Sequence, residues 1–232
     1  MKKYNQYPAM LRTNELRSDV EATISCDYEI VGESDKGLEL FDADGEHGGG
    51  YFPLRFPEEI TVEDIRRLID IPEEVARKYP KLSANVLAQD LFENMDRNAF
   101  CCITKIAFVD STEDLDSLRV GDEFPEQLYN ENDNLSCDIV GLFWYSQKVV
   151  VVNLHAIENC VRELLMEIRS QESFAEEMSL GIWTTLIHEI RHCMLDNPWL
   201  PEADYPRHLE TEEEVEEYAR EVFESRGWTT LV

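Results

Sequence analysis

Residues 188–192 read His-Glu-Ile-Arg-His, and no other part of the sequence restricts the fold as strongly. Apolar residues at helical spacing lead into this segment and predict one helix from Ala175 to about Leu195, which ends before Asn197-Pro198. In such a helix His188 and His192 lie one turn apart on the same face. The fold must therefore bury an apolar helix that carries two histidines on one stripe.

Two imidazole nitrogens placed in this way can both reach one metal ion at about 2.0–2.1 Å. Glu189 follows His188 by about 100° around the helix, so it can lie beside the ion and take a proton from water instead of binding the metal. The competing interpretation is a pair of core histidines satisfied by hydrogen bonds. The complete H-E-x-x-H pattern on an apolar helix favours metal binding by His188 and His192.

A zinc site of this kind needs a third protein ligand. A histidine six residues after the motif is excluded, because Pro198 stands at that position and Leu195 replaces the glycine that this pattern requires. The other common source is a glutamate on a later helix. The acidic segment 210–219 offers several, and we predict that it begins a helix from about Glu212 to Ser225.

Taken together, the H-E-x-x-H motif and the later Glu214-Val215-Glu216-Glu217-Tyr218-Ala219 resemble the zincin metallopeptidases of the gluzincin type. The resemblance covers about residues 138–225 and implies a peptidase that holds Zn²⁺ with His188, His192 and Glu214. Val215 departs from the alanine that is usual after the third ligand. The resemblance also implies that a strand, Val149 to Val152, runs along the substrate.

Several residues compete for these roles. Thr211 and Glu214 also fit a capping box, in which the Glu214 side chain bonds back to the start of its own helix. The alternative third ligands are Glu213, Glu217, Glu210, His208 and Asp204. The candidate donors to a developing oxyanion are Tyr218, His208 and Tyr205. We expect Arg191 to face away from the metal and to pair with a surface acid.

The remaining pattern predicts an α+β fold with a zincin-like core over about 101–232. Residues 1–58 form a β-rich region and 59–232 form the helical and zincin-like metallopeptidase domain, or the two make one continuous domain. The predicted strands are Ala22–Val31, Leu38–Phe41, Ile103–Val109 and a hairpin over 138–154. Loops are predicted at 42–50, 110–134 and 196–209.

Helices are predicted on both sides of these strands. Three short ones lie between residues 60 and 97, with Thr61 and Ser83 as the expected N-caps of the first and third, while Pro72 opens the second. A further helix over 156–170 precedes the helix that carries the histidine motif.

The charge balance restricts the partners. Lys and Arg total 21 and Asp and Glu total 49, which gives a net charge of -28. Nucleic acid and anionic membrane surfaces are therefore unfavourable ligands. The charge predicts first a solvated, self-repelling surface, and a basic region of a protein or peptide substrate is the alternative that it leaves open. The sequence has no apolar segment long enough to span a membrane and no secretory signal at its start, and its six cysteines form no C-x-x-C pair. We therefore expect reduced thiols and a cytoplasmic location.

The sequence predicts zinc-dependent peptide-bond hydrolysis with Glu189 as general base. Two other classes remain open: a catalytically inactive zincin-fold protein that binds metal and acts as an interaction module, and a structural protein with a chance motif. The intact Glu189 argues against the inactive module, and metal content would identify the structural protein. The sequence indicates neither the oligomeric state nor whether the segments 110–134 and 196–209 cover the site.

Overall fold

The computed structural model describes most of the chain and shows an α+β fold with two sheets. The described residues are 28–34, 37–42, 50–52, 60–101, 103–121, 123–165, 171–196 and 211–232. None of the helices in these ranges is both long and apolar enough to cross a membrane. The described cysteines Cys101, Cys137, Cys160 and Cys193 are free thiols.

The first sheet is antiparallel and lies in the predicted β-rich region. Its strands are β1 (Tyr28–Ser34), β2 (Gly37–Asp42) and β3 (Gly50–Phe52), in that order. The β1–β2 hairpin confirms the predicted pair of strands on either side of a turn. Strand β3 was not predicted, because the glycines at its start favoured a loop. Residues 22–27 of the first predicted strand lie outside the described residues.

Three short helices and one short strand follow. The helices are α1 (Val62–Leu68), α2 (Glu73–Lys78) and α3 (Ala84–Asn94). Their starts are as predicted, since the side chains of Thr61 and Ser83 accept backbone hydrogen bonds at the N-caps and Pro72 precedes α2. Strand β4 (Ile69–Asp70) follows α1 directly.

The second sheet has the strand order β4-β5-β7-β6. Strands β5 (Lys105–Val109) and β7 (Val149–Asn153) run parallel to β4, while β6 (Gly141–Trp144) pairs antiparallel with β7. The predicted hairpin over 138–154 is therefore confirmed, with a turn at residues 145–148. Every residue of β7 is buried, because strands pair with both of its edges and other segments cover both of its faces.

The two faces of this sheet pack against different parts of the chain. Alternate residues face opposite sides of a strand, and Ile106, Phe108, Val150 and Val152 belong to the core that the helices share. Ala107, Val109, Val149 and Val151 face a second, smaller core. Residues of the segment 110–135 supply the rest of that second core: Leu115, Leu118, Leu128 and Leu135.

The segment predicted as a loop at 110–134 is therefore anchored on one face of the sheet. It contains a short helix, α4 (Thr112–Asp116), and a 3-10 turn, Glu126–Leu128, that the prediction missed. Its apolar residues are too few and too widely spaced for a long amphipathic helix, but they suffice to cover the sheet. The helix that carries the histidine motif packs on the opposite face.

Three helices complete the fold: α5 (Leu154–Leu165), α6 (Gln171–Asp196) and α7 (Glu212–Ser225). Helix α6 begins earlier than predicted and packs against α5, α7, β6 and β7. The fully buried Trp183 anchors it to the C-terminal segment, because its indole N–H donates to the Thr229 carbonyl at 2.9 Å. The backbone N–H of Thr229 in turn donates to Asp90 on α3 at 2.8 Å.

Candidate metal centre

Helix α6 presents the two motif histidines together, as their spacing predicts. The Nε2 atoms of His188 and His192 are 2.9 Å apart, and the ring centroids are 4.7 Å apart. Their side chains are 20% and 16% exposed, so the rings are mostly shielded but reachable. The two nitrogens point to one place at the surface of α6.

A carboxylate from the first turn of α7 meets both rings. The Oε2 atom of Glu212 lies 3.3 Å from the Nε2 atom of His188 and 3.3 Å from that of His192. The Glu212 side chain itself is 80% exposed. His188, His192 and Glu212 thus form a group of ligand atoms, all within 4.8 Å of one another, that could hold a metal ion.

Glu212, rather than the expected Glu214, lies with the two histidines. Glu214 is held at its own helix start, where its Oε2 accepts the Thr211 backbone N–H at 2.6 Å and its own N–H donates to the Thr211 hydroxyl at 3.3 Å. The structure thus realises the capping box and places the Glu214 carboxylate outside the ligand group. Among the described residues, the structure therefore brings Glu212 and not Glu214 to the two histidines.

The other predicted ligands are either exposed elsewhere or outside the described residues. Glu213 and Glu217 are exposed on α7 and are not part of the ligand group. The remaining candidates for a ligand or an oxyanion donor, which lie outside the described residues, are Glu210, His208, Asp204 and Tyr205.

Glu189 lies beside the histidines and is 7% exposed. Burial raises the pKa of its carboxyl to about 8, a backbone hydrogen bond from Phe143 opposes this rise, and the negative charge of Glu212 adds to it. Strand β6 therefore contacts the carboxylate through its main chain. A buried carboxyl of this kind can hold or release a proton near neutral pH.

Glycine at position 141 makes this contact possible. A Cβ atom on Gly141 would lie 2.8 Å from Oε1 of Glu189 and 2.5 Å from Cγ2 of Thr185. Both distances are shorter than real Cβ contacts, so the missing side chain lets β6 approach α6 closely. Gly141 was not identified from the sequence, because a glycine at the start of a strand does not indicate which side chains of another element pack against it.

The surroundings of His188 lower the pKa of its imidazole and so favour the neutral form. Burial lowers its pKa, and the neighbouring His192 lowers it further, while Glu212 and Glu216 oppose this shift. A neutral imidazole has the free lone pair that a metal requires. This histidine is thus in the protonation state that suits ligation.

Strand β6, and not the run Val149 to Val152, adjoins the site. Those valines lie in β7, which is central in the sheet and has both edges paired. The expectation that they run along a substrate is therefore wrong. In the described sheet β6 is an edge strand, and Val140 just before it lines a cleft together with His188 and Glu189.

The ring of Tyr218 and the guanidinium group of Arg191 pack against each other. The guanidinium carbon of Arg191 lies 4.4 Å from the centroid of the Tyr218 ring, and Arg191 is only 5% exposed. Arg191 is thus buried, and its expected pairing with a surface acid stays a prediction. Tyr218 is not among the residues that line the cleft, and its role as an oxyanion donor stays a prediction.

A cleft of about 570 Å³ opens beside His188 and Glu189, between α6 and α7. Apart from these two residues and Val140, its lining consists of Leu180, Thr184, Thr185, Glu216, Ala219, Arg220, Phe223 and Glu224. No described residue of the segment 110–134 lines it, because that segment covers the other face of the sheet. The second predicted cover lies outside the described residues over 197–209.

Comparison of the chain with protein-family models, curated proteins and solved structures finds no match. The functional interpretation consequently depends on the motif and on the geometry of the site.

Sequence reasoning missed the roles of Glu212, Gly141 and the cleft residues of α7. A signal for Glu212 was present, because the Thr211–Glu214 capping box already occupies the Glu214 side chain and leaves Glu212 as another carboxylate in the same turn. The cleft depends on how α6 and α7 pack, which spacing along either helix does not define.

Proposed function

We propose that this chain is a zinc-dependent peptidase whose metal is held by His188, His192 and Glu212. The observation that carries the proposal is the meeting of these three ligand atoms beside the buried carboxyl of Glu189. Three protein ligands that leave a fourth position open are typical of catalytic zinc, whereas structural zinc has four.

The distances fit zinc. Ligands about 2.0–2.1 Å from a tetrahedral ion lie about 3.3–3.4 Å from one another. The two distances from Glu212 Oε2 are 3.3 Å, and the distance between the histidine nitrogens is 2.9 Å. A shift of a few tenths of an ångström in the rings is sufficient, and two imidazoles with one carboxylate are donors that zinc accepts.

The bound metal and Glu189 have different roles in the proposed hydrolysis. When bound, zinc lowers the pKa of a coordinated water and polarises the carbonyl of the scissile bond. Glu189 accepts a proton from the attacking water and delivers it to the leaving amine. Its burial and the backbone hydrogen bond from Phe143 hold it in place for both transfers.

A peptide is the substrate class that the surroundings favour. Edge strands can bind an extended peptide by main-chain hydrogen bonds, and β6 is an edge strand beside the ligand group. The cleft between α6 and α7 is large enough for a side chain next to the scissile bond.

Elemental analysis of protein purified without a histidine tag or added metal tests the proposal first. We expect about one zinc per chain, and its loss in His188→Ala protein. His155→Ala is the matched control, because His155 contacts Cys137 and Asn159 away from the ligand group.

The same preparations are then incubated with a peptide library and analysed by mass spectrometry. Cleavage that zinc restores after chelation supports the peptidase. Zinc without any cleavage would favour the inactive metal-binding module, and protein that takes up no zinc would contradict the proposal.

A further inference from the structure

We propose that the cleft between α6 and α7 selects a lysine or arginine side chain next to the scissile bond. This inference rests on the proposed peptidase function and names its substrate class. It is carried by the combination of an apolar floor with a rim on which carboxylates outnumber cations.

The floor of the cleft is apolar and partly open to water. Leu180, Ala219 and Phe223 contribute to it. Leu180 is 36% exposed, so part of this floor is in contact with water. It lies two helical turns before His188, about 12 Å along α6. An aliphatic chain that lies along this floor would remove apolar surface from water.

The rim is supplied by one face of α7. Glu216, Arg220 and Glu224 are spaced four residues apart, so they lie in one row along the cleft, and all three are exposed. Glu216 is near enough to the ligand group to act on the charge of His188. The row carries two carboxylates against one guanidinium, in a chain whose net charge is -28.

A long basic side chain satisfies both parts of the cleft. Its methylene groups can pack on the floor while its charged end remains in water beside the carboxylates. A purely apolar side chain would use only the floor. An acidic side chain would meet two like charges and only one opposite charge, which makes it the least favourable occupant.

The test uses zinc-binding hydroxamates, which need no turnover. Three succinyl hydroxamates are compared that differ only in one side chain. The side chain is a lysine-like aminobutyl, a leucine-like isobutyl or a glutamate-like carboxyethyl group. Calorimetry on the zinc-loaded full chain should show the aminobutyl compound binding about tenfold or more tightly than the other two. In the double variant Glu216→Gln, Glu224→Gln this preference should disappear, while binding of the isobutyl compound is retained.

The double variant Glu213→Gln, Glu217→Gln is the matched control. It removes the same charge from the same helix at exposed positions that do not line the cleft, so it should keep the preference. Circular dichroism checks that each variant is folded.

The outcomes separate this inference from the proposed function. Zinc-loaded protein that binds the three compounds equally, or prefers the carboxyethyl compound, would overturn the inference alone. A preference lost equally in both double variants would also overturn it, since net charge and not the rim would then be responsible. Protein that holds no zinc would overturn the proposed function and the inference with it.

Discussion

Two glutamates on neighbouring helices of this protein are both shielded from water, but their electrostatic surroundings are opposite. Glu158 on α5 has a side chain that is 13% exposed. Three groups contact its carboxylate as hydrogen-bond donors or as a cation: Lys78 Nζ at 2.8 Å, the Tyr79 hydroxyl at 2.9 Å and Arg162 Nε at 2.9 Å. Glu189 on α6 is 7% exposed and has no cation among the groups that act on its charge.

The pKa values of the two carboxyls separate accordingly. Burial alone would raise both, but hydrogen bonds from Lys78, Arg162 and Tyr79 lower the pKa of Glu158 to about 2. Burial dominates at Glu189 and raises its pKa to about 8. A carboxylate that is always charged and paired joins helices, whereas one that exchanges its proton near neutral pH suits acid–base chemistry. Shielding from water does not by itself identify a functional acid.

Replacing each of these glutamates by glutamine should give the largest contrast. Glu189→Gln removes the base but preserves the shape of the side chain, so we expect peptide turnover to fall by about 10²–10⁴-fold with zinc content unchanged. Glu158→Gln should keep turnover close to that of the wild type. The measurement is the initial rate of hydrolysis of one peptide identified from the library. A Glu189→Gln protein as active as the wild type would contradict the general-base role.

A similar contrast is expected two residues apart on α7. Glu212→Ala removes a proposed metal ligand, so zinc affinity should fall by at least about 10–100-fold. A loss of that size is already typical when a residue that only hydrogen-bonds to a metal ligand is removed. Glu214→Ala should leave zinc affinity nearly unchanged but lower the free energy of unfolding by about 0.5–1 kcal/mol, because it breaks the capping box.

Both substitutions remove one negative charge from the same helical turn. The effect of the changed net charge on zinc affinity is therefore the same in the two variants. Competition with a chromogenic chelator measures the zinc affinity, and urea denaturation of metal-free protein measures the stability. The reverse result, with zinc lost in Glu214→Ala protein, would restore Glu214 as the third ligand.

Gly141→Ala should disturb the surroundings of Glu189 without touching a ligand. The new Cβ would meet Glu189 and Thr185 at less than 3.0 Å, so β6 or the Glu189 side chain must move. We expect a loss of about 1–3 kcal/mol in the free energy of unfolding and a fall in turnover with zinc retained. Gly227→Ala is the matched control, because nothing lies within 4 Å of a Cβ there. Equal effects of the two substitutions would show that the close approach of β6 is unimportant.

The sequence predicted those features of the fold that local patterns control. The H-E-x-x-H spacing correctly placed His188 and His192 on one helical face, and the N-caps Thr61 and Ser83 marked helix starts. The prediction of a hairpin over 138–154 was also correct, and that hairpin contains β6 and β7. Each of these signals acts within a few residues of chain.

The features that the sequence did not reveal depend on contacts between distant segments. Glu212 and Glu214 are the same residue type and stand two positions apart in one acidic segment. Only the packing of α7 against α6 decides which carboxylate reaches the histidines. The position of β7 in the middle of the sheet likewise depends on β5 and β6 pairing with it, and a run of valines suits an edge or a central strand equally well.

Acid titration gives a small expected effect and tests the Glu158 side of the comparison. The pKa of Glu158 is about 2 in the folded chain against an ordinary value of 4.5, so folding favours its charged form. Its contribution to stability is therefore fully present above about pH 4.5 and is lost as the pH falls towards 2. Because Lys78 and Arg162 are partly exposed, with 41% and 63% of their side chains accessible, solvent screening limits this contribution to about 1–2 kcal/mol.

Urea denaturation of wild-type and Glu158→Gln protein should show a difference of this size in the free energy of unfolding at neutral pH, and the difference should shrink below pH 4.5. A difference that stays constant down to low pH would mean that Glu158 acts through packing and not through its charge.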